Sequence, residues 1–113
     1  MESQLELEDE RVKLVDKLRQ ALPDLTTAEA TVVNGVYKDG ALSHKVKRLI
    51  ALGIALRAGC TNCILHHTIQ ALELGATKDE LLETISVEVV MSGTTGVAES
   101  LRVIKLLDEL GKL

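Results

Sequence analysis

The chain has 113 residues, 17 acidic against 13 basic, with a formal net charge of −4, an apolar fraction of 46% and Tyr37 as its sole aromatic residue. That length fits one domain, residues 1–113, with a single modest core that must be built from Ala, Val, Leu and Ile. The acid excess and the lack of a basic, aromatic-studded stripe argue against nucleic acid as a partner. An acidic N-terminus and no run of membrane-spanning length point to a soluble, cytoplasmic protein without a membrane partner.

Leu5, Leu7, Val12, Leu14, Val15, Leu18 and Leu22 recur as an approximate helical stripe, which predicts a first helix from about Leu5 to Leu22, closed by Pro23. Asp24 or Thr26 can cap a short second helix carrying Ala28, Val32, Val33 and Val36, which should end near Asp39-Gly40. Ser43 is a good N-cap for a third helix whose Val46, Leu49, Ile50, Leu52, Ile54 and Leu56 give an almost all-round apolar surface, so this helix is expected to be the most buried. Gly59 sits at its C-terminal turn, and Cys60 should mark the first turn of a fourth helix ending at Gly75.

Thr77 followed by Glu80 reads as a capping box launching a fifth helix towards Met91. Ser92-Gly93-Thr94-Thr95-Gly96 reads as a turn-rich patch, and a sixth helix uses Val97, Leu101, Ile104, Leu107 and Leu110. The expected architecture is therefore all-α, a single-domain bundle of about six helices.

The chemistry concentrates in Cys60-Thr61-Asn62-Cys63-Ile64-Leu65-His66-His67. Two cysteines spaced CxxC at a helix start can form a disulfide, while free N–H groups and the helix dipole favour a thiolate. At about 100° per residue, Cys63 lies about 60° from Cys60 and His67 about 20° from it, whereas His66 points about a third of a turn away. His67 is thus the candidate proton acceptor, His66 reads as a solvent-facing or interface residue, and His44, near the cap of the third helix, is a weaker candidate for an active role than His66. Two other readings of the pair stay open at this point: small buried hydrophobes, or three ligands of a zinc site that would still want a fourth.

These residues carry a resemblance. CxxCxxxH from Cys60 to His67, preceded by Ala41-Leu42-Ser43-His44-Lys45 and Leu49-Ile50-Ala51-Leu52, and followed by Leu74-Gly75-Ala76-Thr77 and Lys78-Asp79-Glu80-Leu81, resembles the alkyl hydroperoxidase D-like branch of the carboxymuconolactone decarboxylase superfamily over about residues 40 to 95. The resemblance implies an all-helical homo-oligomer, trimeric or hexameric. It implies Cys63 as the nucleophile towards a hydroperoxide, Cys60 as the resolving thiol and His67 as a member of a proton relay. It further implies an external dithiol such as a lipoyl group as electron donor; no tightly bound cofactor is expected, and no metal, since structural zinc normally takes four protein ligands. Two positions depart from that pattern: Arg48 stands where the relay glutamate is expected, and Asn62 where a histidine is often found.

Arg48 cannot serve as a carboxylate base. Glu88, projected beside the apolar stripe of helix five, is the candidate replacement, pairing with Arg48 or hydrogen-bonding His67. The expected function is a thiol–disulfide oxidoreductase, extending to reduction of hydroperoxides. Its rivals are a redox-sensing or structural oligomer without turnover, and a lactone decarboxylase, for which no cationic pocket is evident in the sequence.

Overall fold

The computed structural model describes all 113 residues and contains six α-helices and no strand. They are α1 (Gln4–Ala21), α2 (Pro23–Val36), α3 (His44–Ala58), α4 (Thr61–Glu73), α5 (Lys78–Ser92) and α6 (Thr94–Glu109). None is long and apolar enough to cross a membrane.

Local chemistry sets the boundaries. Ser43 accepts the Val46 N–H at the head of α3, and Thr77 and Glu80 exchange both bonds of a capping box at the head of α5. Gly59 ends α3 in the left-handed region at φ 68°, a conformation costly for any residue with a Cβ. Pro23 does not merely close α1. It occupies the first turn of α2, where its missing N–H costs nothing, and Leu22 rather than Asp24 or Thr26 is the N-cap. The patch after Ser92 is likewise shorter than its composition suggests: Gly93 alone breaks the chain, and Thr94, Thr95 and Gly96 already belong to α6.

The core is aliphatic, as the composition requires. Leu52 and Leu56 of α3 meet Ile64 and Ala71 of α4, Leu81 of α5, and Val103 and Leu107 of α6. Helix α3 packs chiefly against α4 and α5, and α1 lies across α4 and α6. Its N-terminus is tied to the end of α6, where Glu109 accepts hydrogen bonds from the Gln4 backbone N–H (2.7 Å) and from the Ser3 hydroxyl.

Two expectations need correction. Helix α3 is not buried all round: Arg48, Leu52, Ala55 and Leu56 face the core, while Ile50 and Ile54 look into an open groove and α6 buries more residues. The apolar stripe of α1 does not become its buried face either; Gln4 and Glu8 are buried, and Val12, Leu14 and Leu18 are exposed. Helix α2 packs mainly on α1 and has no buried residue.

Candidate functional site

Cys60 is the N-cap of α4 and is joined to Cys63 by a disulfide, with the Cα atoms 5.3 Å apart. The backbone N–H of Cys63 donates to the Cys60 sulfur at 3.3 Å, so one of the helix's spare donors is spent on that sulfur. Gly59 permits the approach, because its left-handed turn reverses the chain between the end of α3 and the Cys60 cap.

One turn into α4, His66 and His67 meet a guanidinium from α3. Arg48 is 6% exposed, and its environment gathers all three histidines of the chain and its one aromatic ring. Its Nε donates to His44 Nε2 at 3.1 Å, its Nη1 lies 3.3 Å from His67 Nδ1 and 3.5 Å from His66 Nε2, and its Cζ stands 3.9 Å above the Tyr37 ring. His66 is held from the other side by Arg11 Nη2, 3.2 Å from Nδ1, and Arg11 in turn pairs with Glu8.

No carboxylate forms an ion pair with Arg48, so its charge is met by imidazoles and a π-face. Burial pulls its pKa down, partly offset by Tyr37 and Glu73. The same burial, reinforced by both guanidiniums, lowers His66 and His67 to about 4, so both rings are neutral at neutral pH.

The structure joins Cys60 and Cys63 at the N-terminus of α4, sets His67 one turn further along that helix against Arg48, and adds residues not expected at the site. His66 is not solvent-facing but wedged between two arginines, and His44 is a direct partner of Arg48. Arg11 and Arg48 flank the His66 imidazole, Arg11 being paired with Glu8 and Arg48 buried. The signal was available for His44, which precedes Arg48 by four residues on one helical face; the Arg11 contact crosses 55 positions and leaves no local trace.

Glu88 is not the replacement relay. It is buried, at 4% exposure, but neither carboxylate oxygen has a hydrogen-bond partner, and the side chain packs against Gly96 of α6. The reason is the far side of α3. Glu88 lines a groove of about 790 Å³ with Ile50, Ile54, Val87 and Met91, and Arg48 lies two residues, about 200° of helical turn, from Ile50.

A helical domain in which a CxxC disulfide caps a helix beside an arginine–histidine cluster defines the class. A model of the carboxymuconolactone decarboxylase family matches residues 23–106, and the chain belongs to that family. It is 36% identical over 93 residues to an uncharacterised protein of Cupriavidus necator, a match covering 82% of each. The fold matches a crystal structure of a carboxymuconolactone decarboxylase family protein from Legionella pneumophila with a TM-score of 0.89 at 30% identity, over 96% of this chain and 97% of that one. A family member from Thermotoga maritima, for which a part in an antioxidative response has been suggested, shares the fold with a TM-score of 0.79 at 24% identity, over 88% of each chain.

Proposed function

We propose that this protein is a thiol–disulfide oxidoreductase whose working pair is Cys60 and Cys63, taking electrons from an external dithiol. The observation that carries the reading is the position of the disulfide at the N-cap of α4, with the Cys63 N–H on the Cys60 sulfur. A thiolate at Cys60 is stabilised by that donor and by the helix dipole, which makes Cys60 the better leaving group.

An incoming thiolate therefore attacks the Cys63 sulfur, forms a mixed disulfide there and releases the Cys60 thiolate. The second thiol of the donor then attacks its own sulfur in the mixed disulfide, and Cys63 leaves as a thiolate. Two electrons pass from donor to protein, the donor becomes a disulfide, and its two thiol protons go to solvent. In the oxidative direction, a Cys63 thiolate attacks a hydroperoxide oxygen, giving a sulfenic acid and an alcohol after protonation by water. Cys60 then displaces hydroxide to restore the disulfide.

Hydroperoxide reduction is the slower direction, because Arg48 offers no carboxylate to drive proton removal from Cys63. The exposed apolar faces of α2, α3 and α5 support self-association of the chain.

The test is disulfide reduction by a panel of dithiols and monothiols, followed by reoxidation with an organic hydroperoxide, for wild type, Cys60→Ser and Cys63→Ser. Wild type should turn over with dithiols and reoxidise slowly, and Cys63→Ser should form no mixed disulfide. A disulfide inert to every dithiol in the folded protein would leave a structural or sensing role instead.

A further inference from the structure

The partner on His67 fixes what its imidazole can do. A guanidinium carries five donors and no acceptor, so any hydrogen bond between Arg48 Nη1 and His67 Nδ1, 3.3 Å apart, has the arginine donating and Nδ1 accepting through its lone pair. A proton on Nδ1 would set two N–H groups against each other. The neutral ring must then carry its single proton on Nε2, and the free edge of His67 is a donor.

Other neighbours reinforce this. His66 is 3.5 Å from the same Nη1, a longer contact than that of His67, and its Nδ1 is served by Arg11 at 3.2 Å. His44 occupies Nε of Arg48 and leaves Nη1 to the two α4 rings. No acid pairs with the guanidinium to turn its hydrogens away, since Glu8 is engaged with Arg11 and Glu88 lies across α3. The low pKa of His67 agrees with a ring that does not take a second proton.

We infer that Arg48 locks His67 in the Nε2–H tautomer, so that His67 stabilises a thiolate leaving from Cys63 by donating a hydrogen bond and does not act as its proton acceptor. His67 follows Cys63 by four residues, one turn along α4 on the same helical face, and side chains on a helix lean back towards its N-terminus, the direction of Cys63. The Cys63 N–H already serves Cys60, and the inferred His67 Nε2–H bond would give the departing Cys63 sulfur a donor of its own. Arg48 is a positioning residue. The Cys63 half of the inference rests on the redox reading; the tautomer does not.

The tautomer can be read directly by long-range ¹H–¹⁵N correlation on the full-length protein at pH 7, oxidised and reduced, with His67 assigned through His67→Gln. The expected pattern is Nε2–H in both states, retained in Arg48→Lys, which still donates, and switched to Nδ1–H in Arg48→Glu. An Nδ1–H tautomer in wild type, or a doubly protonated ring on reduction, would overturn the inference even if Arg48→Glu does not fold.

The functional arm uses a Cys60→Ser background, where alkylation at neutral pH reports the Cys63 thiolate alone. His67→Phe should slow alkylation roughly tenfold, the size of one hydrogen bond to a charged group, and His67→Gln, whose amide can donate, should stay near the parent rate. Equal loss in both variants is the result required of a base and refutes the donor role. Because the tautomer is observed without turnover, a protein inert to dithiols would overturn the redox reading and leave the tautomer standing.

Discussion

Nη1 of Arg48 and Nδ1 of His67 stand 3.3 Å apart, a cation on a neutral imidazole where a protonated one would be repelled. The same field acts on His66, and both rings have pKa values lowered to about 4 from an unfolded value near 6.5. Between those limits the unfolded chain binds more protons than the folded one, so stability is full above about pH 6.5 and falls as the pH drops towards 4. Denaturation midpoints measured from pH 7.5 to 4.5 should decline through this window, and the decline should flatten in a His66→Gln, His67→Gln double variant. An unchanged slope in the double variant would assign the acid sensitivity to carboxylates alone.

On the other side of α3, a Cβ on Gly96 would overlap the Glu88 carboxylate, standing 3.0 Å from its Cδ and Oε1. Overpacking of this kind commonly costs about 1–3 kcal/mol. Here the obstructing group is the end of a flexible side chain bordering the open groove, into which it can swing and regain water, and an alanine inside α6 recovers a few tenths of a kcal/mol of helix propensity. Gly96→Ala is therefore expected to change unfolding free energy by less than about 1 kcal/mol. A loss well above that figure would show that Glu88 has no room to move.

Local signals carried the fold a long way. Ser43, Gly59 and the Thr77–Glu80 pair do in the structure what their residue types predict, because a cap is made within four residues of itself. What the sequence concealed is non-local. The apolar stripes of α1 and α3 are visible as periodicity, but which stripe is covered depends on what lies opposite, and Ile50, Ile54 and Leu14 face outwards on a single chain. In the site, CxxC and His67 were legible as one helical face. His44 lay within local reach of Arg48, but the arrival of Tyr37 and His66 at Arg48, with Arg11 on the other side of His66, did not, since it joins four separate segments. Glu88 was placed by periodicity on a buried face, as it is, yet periodicity could not tell which neighbour that face meets.

The cap of α5 offers a stability test on a different helix from the thiols. Thr77 accepts the Glu80 N–H at 3.1 Å and donates its own backbone N–H to the Glu80 carboxylate at 2.9 Å, while Lys45 of α3 reaches the other oxygen at 2.8 Å. Removing the hydroxyl leaves a helix-terminal donor without its partner. Thr77→Ala should lower unfolding free energy by about 1 kcal/mol, with disulfide reduction rates unchanged. A loss of thiol reactivity alongside the stability change would couple this cap to the site through Lys45, which pairs with Glu80 and adjoins His44 in α3.

Ile54, Val87 and Met91 are 66%, 67% and 80% exposed and line the groove between α3 and α5 with Ile50, and Val90, 85% exposed, adds to the apolar surface of α5 in a chain of only 113 residues. Proteins of this size seldom leave such a face in water, and self-association removes it at least cost in specificity, because each copy carries the same patch. Light scattering on the wild type should give a mass that is a multiple of 12.2 kDa, and Met91→Glu, which sets a charge in the middle of that face, should shift it to the single-chain value with helical circular dichroism retained. Met91 is exposed on the single chain, so the substitution strains nothing within it, and a change in mass reports the contact between copies. A wild type already at 12.2 kDa at micromolar concentration would mean that the groove stays open to solvent, and the case for self-association through α3 and α5 would fail.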